Sequence, residues 1–523
     1  MAHKFLGFRG KSLEWALNLT VILPCYILFG YNHAVAGGLL SLPSWTATFP
    51  EIDTIHTEGE AKLTNSGLQG TIMAIYTLGC FLGCINCIWL GDKLGRRGTI
   101  ITGAIVNIVG AVLQCTAFSL PQLAIGRLVT GFGFGHITAT APNWQAECCR
   151  AENRGAVVML EGVFISLGLA LASWVNLAME RVPGSISWRL PLSVSVLWAM
   201  IVIVTTPFMP ESPRWLIKKG RLDEARQVLA AFDGTEDKSS PELAAEIEGI
   251  HLSLAKAGEA KFRHVFHNGE QGMRLLHRTC LACAVQVFHQ MCGVNALAFY
   301  QTKIFEDGIG LASTPARILA ASVFTFQFLV SPVGAFTVDR FGRRKLMMFS
   351  AVGMGTCMAI MAGATSLPHT NIGATAAATM SIFMFSFFFP IGFLGLSFLY
   401  AAEMAPLSHR VPITALSTGT AWLFNFVVAE VTPVGFATIK YRYFIIYAAM
   451  NFCMILPAVY LFFPETNGRR LEELDEIFHS TESVFRTVKD AHIIHQRNAS
   501  GPSSSEEVGR ICKEKCESAG TDN

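Results

Sequence analysis

The stretch Asp92-Lys93-Leu94-Gly95-Arg96-Arg97 decides the fold, because the chain repeats it as Asp339-Arg340-Phe341-Gly342-Arg343-Arg344. Two more charged motifs repeat in the same order and at a similar offset. Glu147 followed by Arg154 returns as Glu403 followed by Arg410, and Pro210-Glu211 returns as Pro464-Glu465. All three motifs lie at the ends of long apolar runs. They indicate a duplicated half, with a small insertion between the copies.

The composition is that of a membrane protein. Apolar residues make up 51% of the chain and charged residues 15%, against roughly 25% charged residues in soluble domains; the mean hydropathy is +0.42. Since about 20 apolar residues cross a bilayer core, we identify crossings near residues 17–40, 68–90, 98–118, 121–145, 156–178, 188–208, 279–303, 317–338, 345–367, 375–402, 411–435 and 442–463. We predict an all-α membrane protein with twelve transmembrane helices in two pseudo-symmetric six-helix halves around a central cavity, as in many secondary transporters.

Lysine and arginine in the short loops predict the orientation. Basic residues before the first crossing and in the loops near Arg97, Arg154 and Arg344 fall on one side, whereas the loop at residues 51–62 is mainly acidic. Both termini are therefore expected in the cytoplasm. The plasma membrane is the expected location, with a vacuolar membrane left open. The first apolar run has no obvious cleavage site, so we expect no removed signal peptide.

The chain divides into five predicted sections. Residues 1–16 form a cytoplasmic N-terminus, and the two six-helix halves cover residues 17–210 and 279–464. The charged, Ala-rich residues 211–278 predict a cytoplasmic linker with short helices. Residues 465–523 predict a cytoplasmic tail whose Ser- and Glu-rich end is disordered, because that composition cannot bury a core.

Five motifs stand in a fixed order along the chain. They are the two Asp-x-x-Gly-Arg-Arg stretches, Pro210-Glu211-Ser-Pro-Arg-Trp-Leu, Gln290-x-x-Gly-x-Asn295-x-x-x-x-Tyr300 and Pro464-Glu465-Thr-x-Gly-Arg469. Together they resemble the sugar porter family of the major facilitator superfamily, and the sequence around Trp144 is most similar to fungal members. The resemblance spans roughly residues 17–475. It implies a secondary transporter that moves a sugar or sugar-like small molecule by alternating access, without a cofactor or metal.

Carboxylates and arginines repeat at the predicted cytoplasmic helix ends. They are Asp92, Arg96, Arg97, Glu147, Arg154, Glu211 and Arg214 in the first half, and Asp339, Arg343, Arg344, Glu403, Arg410, Glu465 and Arg469 in the second. Paired across neighbouring helices, they would form a cytoplasmic gate that holds while the protein is open outward and separates when it opens inward. The positive-inside rule explains the arginines but not the repeated carboxylates, so we favour the gate.

The resemblance implies a substrate site in the middle of the membrane. Its candidate residues are His289, Gln290, Asn295, Tyr300, Gln327, Trp422 and Asn425. Amides suit a sugar because they both donate and accept hydrogen bonds, as hydroxyls do, and the indole offers a stacking face. Any one of these groups would serve equally well to hold two helices together. Their joint match to family positions favours substrate binding.

The sequence also departs from the pattern of well-studied hexose carriers of this family. Gly162 and Leu169 replace two glutamines on the fifth helix, Ala421 replaces another, and Phe398 replaces a tryptophan. The pocket is therefore expected to be less polar than a typical hexose site. A sugar is favoured, and a polyol, a cyclitol-like acid or a larger metabolite stays open.

The coupling mode depends on Asn32. Gly30-Tyr31-Asn32 follows the pattern of the family's facilitators, where its proton symporters have aspartate. An aspartate near Arg127 would exchange a proton for an ion pair, whereas asparagine cannot titrate, so we predict a uniporter. Glu161 leaves proton symport open, because a mid-membrane carboxylate costs about 2.5–3.5 kcal/mol to insert and is functional by default. Membrane histidines are further candidates, although a neutral role in helix packing explains each of them.

Other classes of protein fit the sequence less well. Gly10-Lys11-Ser12 lacks the first glycine of a phosphate-binding loop, and a net charge of +2 gives no reason to expect nucleic acid. We find no His-Glu-x-x-His or comparable cluster of an enzyme, and Cys84 and Cys87 have no third metal ligand nearby. A transporter-like nutrient sensor stays open. The expected partners are thus a sugar-like substrate and the lipid bilayer, with neither nucleotide nor nucleic acid.

Overall fold

The fold is predominantly helical in the residues that the structure, a computed structural model, describes: 7–148, 154–234, 241–258, 265–266, 274–368, 370–406, 409–468, 474, 477–478 and 487–488. The first half contains α1 (Lys11–Leu17), α2 (Leu23–Val35), α3 (Pro43–Thr48), α4 (Gly59–Cys115), α5 (Leu120–Cys148), α6 (Arg154–Met179) and α7 (Ile186–Thr205). Short 3₁₀ turns lie at Pro50–Ile52 and Thr206–Phe208. The section predicted as a linker contains α8 (Pro213–Lys218), α9 (Leu222–Asp233) and α10 (Pro241–Gly258).

The second half is more interrupted than the first. It contains α11 (Leu275–Met291), α12 (Val294–Lys303), α13 (Ser313–Phe341), α14 (Arg343–Thr365), α15 (Ile372–Phe389), α16 (Leu396–Met404), α17 (Arg410–Thr438), α18 (Arg442–Ala449) and α19 (Leu456–Phe462). A π-helical turn at Ile304–Gly308 extends α12, and others at Asn18–Ile22, Pro390–Leu394 and Met450–Ile455 join α1 to α2, α15 to α16 and α18 to α19. Most of the predicted tail, residues 465–523, lies outside the described residues.

These helices supply the predicted twelve crossings. Ten helical stretches of the described chain are long and apolar enough to cross a membrane. One of them, α4, has 57 residues and bends at Gly95, where φ is 77°, so it crosses twice. The 29-residue α5 supplies the remaining crossing. The predicted fold class is confirmed: a multi-pass all-α membrane protein with twelve crossings in two halves.

The halves meet along two pairs of helices, α4 with α17 and α6 with α13. Small residues allow the backbones to approach closely. A Cβ added at Gly70 of α4 would overlap the carbonyl oxygen of Glu430 in α17, and one added at Gly37 would overlap that of Phe299 in α12. Glycine at these positions therefore permits the observed contact between halves.

The seventh crossing is broken in the middle of the membrane. α11 ends at Met291, and Gly293 precedes α12 with φ at 105°, a conformation that favours glycine. A second departure follows at Tyr300, whose φ and ψ are −124° and 17°. Broken helices of this kind commonly form the binding sites of transporters, and these two breaks determine which side chains of the crossing reach the space between the halves.

Candidate substrate site and gates

A cavity lies between the two halves. Its polar wall comes mainly from the second half, and its first-half wall is largely aromatic or aliphatic, with Tyr26, Phe29 and Leu169 among its members. None of the described residues that line it is aspartate, glutamate, lysine or arginine. The cavity is therefore suited to a neutral molecule that makes many hydrogen bonds.

The structure brings all but one of the predicted substrate residues together in this wall. The lining includes His289, Gln290, Asn295, Gln327, Trp422 and Asn425. Tyr300 is not part of the lining. Its buried hydroxyl donates to the carbonyl of Ala429 in α17 at 2.9 Å, so this side chain joins α12 to α17.

The lining amides are partly paired with each other and with neighbouring helices. The Nδ2 of Asn295 donates to the Oε1 of Gln290, and the Nε2 of Gln327 donates to the hydroxyl of Ser166 in α6 at 3.2 Å. The Nδ2 of Asn425 lies 3.2 Å from the Nε2 of His33, across the two halves. The Oδ1 of Asn425 has no hydrogen-bond partner among the described residues, so the site retains hydrogen-bonding capacity.

Aromatic rings form the other side of the site. The Trp422 ring lies 5.5 Å from that of Phe29 and 5.9 Å from that of His33. His289 is held by a 2.7 Å contact between its Nδ1 and the Ser397 hydroxyl. Histidine at this family glutamine position thus leaves the pocket less polar and more aromatic.

Three of the four residues that depart from the hexose-carrier pattern line the cavity, and the fourth does not. Leu169, Ala421 and Phe398 line the cavity. Gly162 is not among the lining residues, and a Cβ added there would lie 3.1 Å from the Leu394 side chain of the other half. Glycine here allows α6 to pack closely against the α15–α16 junction.

Arg127, the predicted partner of a coupling group, is buried behind the cavity wall. Its Nε donates to the carbonyl of Ile72 at 2.6 Å, and an Nη donates to that of Met73 at 3.1 Å. Its guanidinium lies 5.6 Å from the centre of the Tyr76 ring, and Tyr76 also neighbours Asn32. Backbone carbonyls therefore satisfy this cation where a carboxylate would otherwise be expected.

Glu161 is a buried carboxyl group just outside the cavity. It is 1% exposed and adjoins Tyr26, which lines the cavity. Its Oε1 has no hydrogen-bond partner in the described part of the chain. Tyr26 thus separates Glu161 from the cavity.

The charged motifs lie at one end of the bundle, which we call the motif end. In the first half, the Nε and an Nη of Arg96 donate to the two carboxylate oxygens of Glu147 at 2.9 and 2.8 Å. Glu211 accepts the backbone N–H groups of Arg96 and Arg97 at 2.9 and 3.2 Å. Burial raises the pKa of the Glu211 carboxyl, while hydrogen bonds from the N–H groups of Ser212, Arg96 and Arg97 act against this.

The second half repeats this arrangement. Arg343 donates to Glu403 through its Nε at 3.3 Å and an Nη at 2.9 Å. Glu465 accepts the backbone N–H groups of Arg343 and Arg344 at 2.8 and 3.1 Å. Gly342 (φ 86°) corresponds to Gly95. Each half therefore has its own ion pair, capped by a carboxylate from the chain segment that follows its sixth crossing.

The pairing differs from the expected gate in its partners. The side chains of Arg97 and Arg344 donate to the backbone carbonyls of Pro207 and Tyr460, because the arginine before each of them already occupies the carboxylate. Asp92 pairs with Lys218 of α8, and Asp339 pairs with Arg343 at 2.9 Å. Arg214 follows Glu211 at the start of α8, and Arg410 begins α17. The side chain of Arg154 and the whole of Arg469 lie outside the described part of the chain.

The opposite end, called the far end, is joined by polar contacts between halves that the sequence motifs did not indicate. Arg317 of α13 donates to the Gly38 carbonyl at 2.6 Å and the Ser41 hydroxyl at 2.7 Å, and its Nε lies 3.7 Å from Glu180. Lys303 of α12 donates to the Oε1 of Gln69 at 2.9 Å. The far end is therefore closed. Lys303 and Arg317 flank the seventh and eighth crossings, and only that position could have suggested a role.

Comparisons with known proteins agree on the family of this chain. A sequence model of the family described as "Sugar (and other) transporter" matches residues 17–478. The chain belongs to this family. It is 34% identical to the MFS-type transporter oryC of Aspergillus oryzae, covering 90% of this chain and 86% of that protein. It is 32% identical to the sugar transporter STL1 of Saccharomyces cerevisiae, covering 90% and 82%.

The fold also resembles solved members of the superfamily. The proton:xylose symporter XylE, solved with 6-bromo-6-deoxy-D-glucose, superposes with a TM-score of 0.75 at 21% identity, covering 90% of this chain and all of that one. The family predicted from the motifs is confirmed, as is the broad function of a transporter in the sugar transporter family.

Proposed function

We propose that this protein is a uniporter for a small, neutral, polyhydroxylated molecule, a sugar or a polyol, and that it works by alternating access. The observation that carries this proposal is the central cavity, in which amides from the second half face aromatic rings and no described lining side chain bears a formal charge. Relatives named for glucose or sugar transport support this class of solute.

Neutrality of the solute follows from the cost of burying charge. A charged group in a desolvated site needs a partner of opposite charge, and the described lining offers only amides, hydroxyls, imidazoles and an indole. Each amide supplies both donors and acceptors, which matches the hydroxyl group. The aliphatic and aromatic remainder accommodates the C–H faces of such a molecule.

Alternating access follows from the contrast between the two ends. The ion pairs Arg96–Glu147 and Arg343–Glu403 each join helices within one half, so we infer that they keep each half rigid while the halves rock against each other. The Arg317 and Lys303 contacts join different halves and must break for the far end to open. We place the motif end, with both termini, in the cytoplasm and the protein in the plasma membrane.

Uniport rests on Asn32, which cannot release a proton. A second candidate, proton symport, is favoured by one observation: Glu161 is a buried carboxyl group next to Tyr26 of the cavity wall. Carboxyl groups within membrane segments are functional candidates by default. The two candidates differ in whether solute accumulates against its gradient.

Uptake into a host lacking its own sugar carriers tests the proposal. Radiolabelled D-glucose, D-xylose, D-mannitol and glycerol are supplied with and without an uncoupler, at matched surface expression. We expect saturable uptake of at least one solute, with an unchanged initial rate when the uncoupler is present. Loss of accumulation with the uncoupler would support the symport candidate, in which case Glu161→Gln should abolish accumulation and retain exchange.

A further inference from the structure

A second, small cavity lies between the central cavity and the far end. The two cavities share lining residues, among them Gln301 and Phe324. Asn176, Ser173 and Arg317 supply most of the remaining polar wall of the second cavity. Under the proposed alternating access, a solute that moves between the central site and the far end would pass this cavity.

Gln301 lies at the junction of the two cavities and differs from the other lining glutamines in having no hydrogen-bond partner in the described part of the chain. It is 3% exposed, and neither its Nε2 nor its Oε1 has a hydrogen-bond partner among the described residues. The lining amides Gln290 and Gln327 each have a partner. A buried amide with no partner is costly, so its presence on the path indicates that a ligand group completes it.

The backbone explains why Gln301 rather than Tyr300 faces this path. Tyr300 departs from helical geometry, and its side chain is committed to the Ala429 carbonyl of α17. The next side chain is thereby directed to the junction between the cavities. The family motif ends at Tyr300, so the motif itself gives no reason to select the residue that follows it.

The surroundings define which chemical group would fit. The Arg317 guanidinium already donates to Gly38 and Ser41 and lies near Glu180, so it offers no uncompensated charge to an anion. The Oδ1 of Asn176 lacks a partner in the described part of the chain, while its Nδ2 donates to the Val35 carbonyl at 3.0 Å. Two free acceptors and one free amide donor suit a hydroxyl, which both donates and accepts.

We propose that Gln301 binds a hydroxyl at the end of the solute that points to the far end, and so determines which polyhydroxylated molecules are carried. This inference rests on the proposed transport of such molecules. Gln301 adds an amide to a site in which Gly162 and Leu169 occupy the two fifth-helix glutamine positions.

A deoxy scan in Gln301→Leu tests the assignment. Affinities for D-glucose, its monodeoxy analogues, D-xylose, D-mannitol and glycerol are measured by competition against the best-carried solute. The parent should lose about 5- to 150-fold in affinity when the contacted hydroxyl is removed. Gln301→Leu should bind the full solute that much more weakly and be insensitive to removal of that one hydroxyl. Equal sensitivity of parent and variant at every position would overturn the proposal.

Gln114→Leu is the matched control. Gln114 is also a buried glutamine, but its Nε2 donates to the Thr130 hydroxyl at 2.6 Å, away from both cavities. Without solute, Gln114→Leu should lower the unfolding temperature, whereas Gln301→Leu should keep or raise it, because it removes an unpaired amide. An equal drop in both variants would show that the Gln301 amide has a structural partner and would overturn the inference while leaving the transport proposal intact. A parent that carries no neutral solute would overturn both.

Discussion

Removal of either amide in the Gln290–Asn295 pair should weaken solute binding strongly. Both side chains are buried in the cavity wall, and the Nδ2 of Asn295 donates to the Oε1 of Gln290. Truncation to alanine removes a hydrogen bond to the solute and leaves the partner amide unpaired. A buried group left unpaired costs about 1–3 kcal/mol, so we expect Gln290→Ala and Asn295→Ala each to raise the dissociation constant about 5- to 150-fold.

The double variant gives a sharper version of this prediction. Because the two amides share one hydrogen bond, their losses should not add, and the coupling should be about 0.5–3 kcal/mol. Equilibrium binding and counterflow on purified protein measure it. Asn107→Ala is the control, since that buried amide donates to the Thr130 carbonyl between α4 and α5, outside the cavity wall, at 3.3 Å; it should lower stability and spare affinity. Unchanged affinity in both single variants would remove the pair from the site.

Three further predictions concern the gates and coupling. Arg96→Ala leaves the Glu147 carboxylate without its ion-pair partner and should lower the free energy of unfolding by about 3 kcal/mol. Arg97→Ala loses only a contact with a backbone carbonyl and should lower it by about 1 kcal/mol. Equal losses in a denaturant titration would contradict this pairing. Asn32→Asp adds a titratable group near the buried guanidinium and should make uptake depend on pH; a flat pH profile would argue against this position. Gly37→Ala should block closure of the far end, and so abolish transport while solute still binds from the outside. The control Gly67→Ala, with open space around the added methyl group, should transport normally. Equal transport rates in the two variants would contradict the close contact between Gly37 and the Phe299 carbonyl.

The fold was predictable because the sequence contains two copies of the features that produce it. Apolar runs long enough to cross a bilayer set the number of crossings, and the repeated carboxylates set the equivalence of the halves. The choice of partner was not predictable in the same way. Arg96 and Arg97 are adjacent and chemically identical, and only the folded geometry after the bend at Gly95 shows that Arg96 pairs with Glu147 and Arg97 with the Pro207 carbonyl.

The cavity wall likewise contains residues that the sequence predicted and residues that it did not. Residues of a regular helix, such as Gln290 and Trp422, reach the cavity as their positions in the crossings suggest. Tyr300 is itself the departure from helical geometry in α12, and Gln301 follows it. A sequence pattern does not predict which way the side chains of a helix face beyond such a break. The closure by Lys303 and Arg317 was hidden for a different reason, because its partners are backbone carbonyls, hydroxyls and amides from distant parts of the chain.

Solute flux in proteoliposomes tests the central claim, transport of a neutral polyhydroxylated molecule without proton coupling, most directly. Purified protein is reconstituted and supplied with the best-carried sugar or polyol, with and without an imposed inward proton gradient. The uniport account predicts saturable uptake that stops at equal concentrations inside and outside, at the same initial rate under both conditions. Uphill accumulation driven by the proton gradient, or flux of charged solutes only, would contradict it.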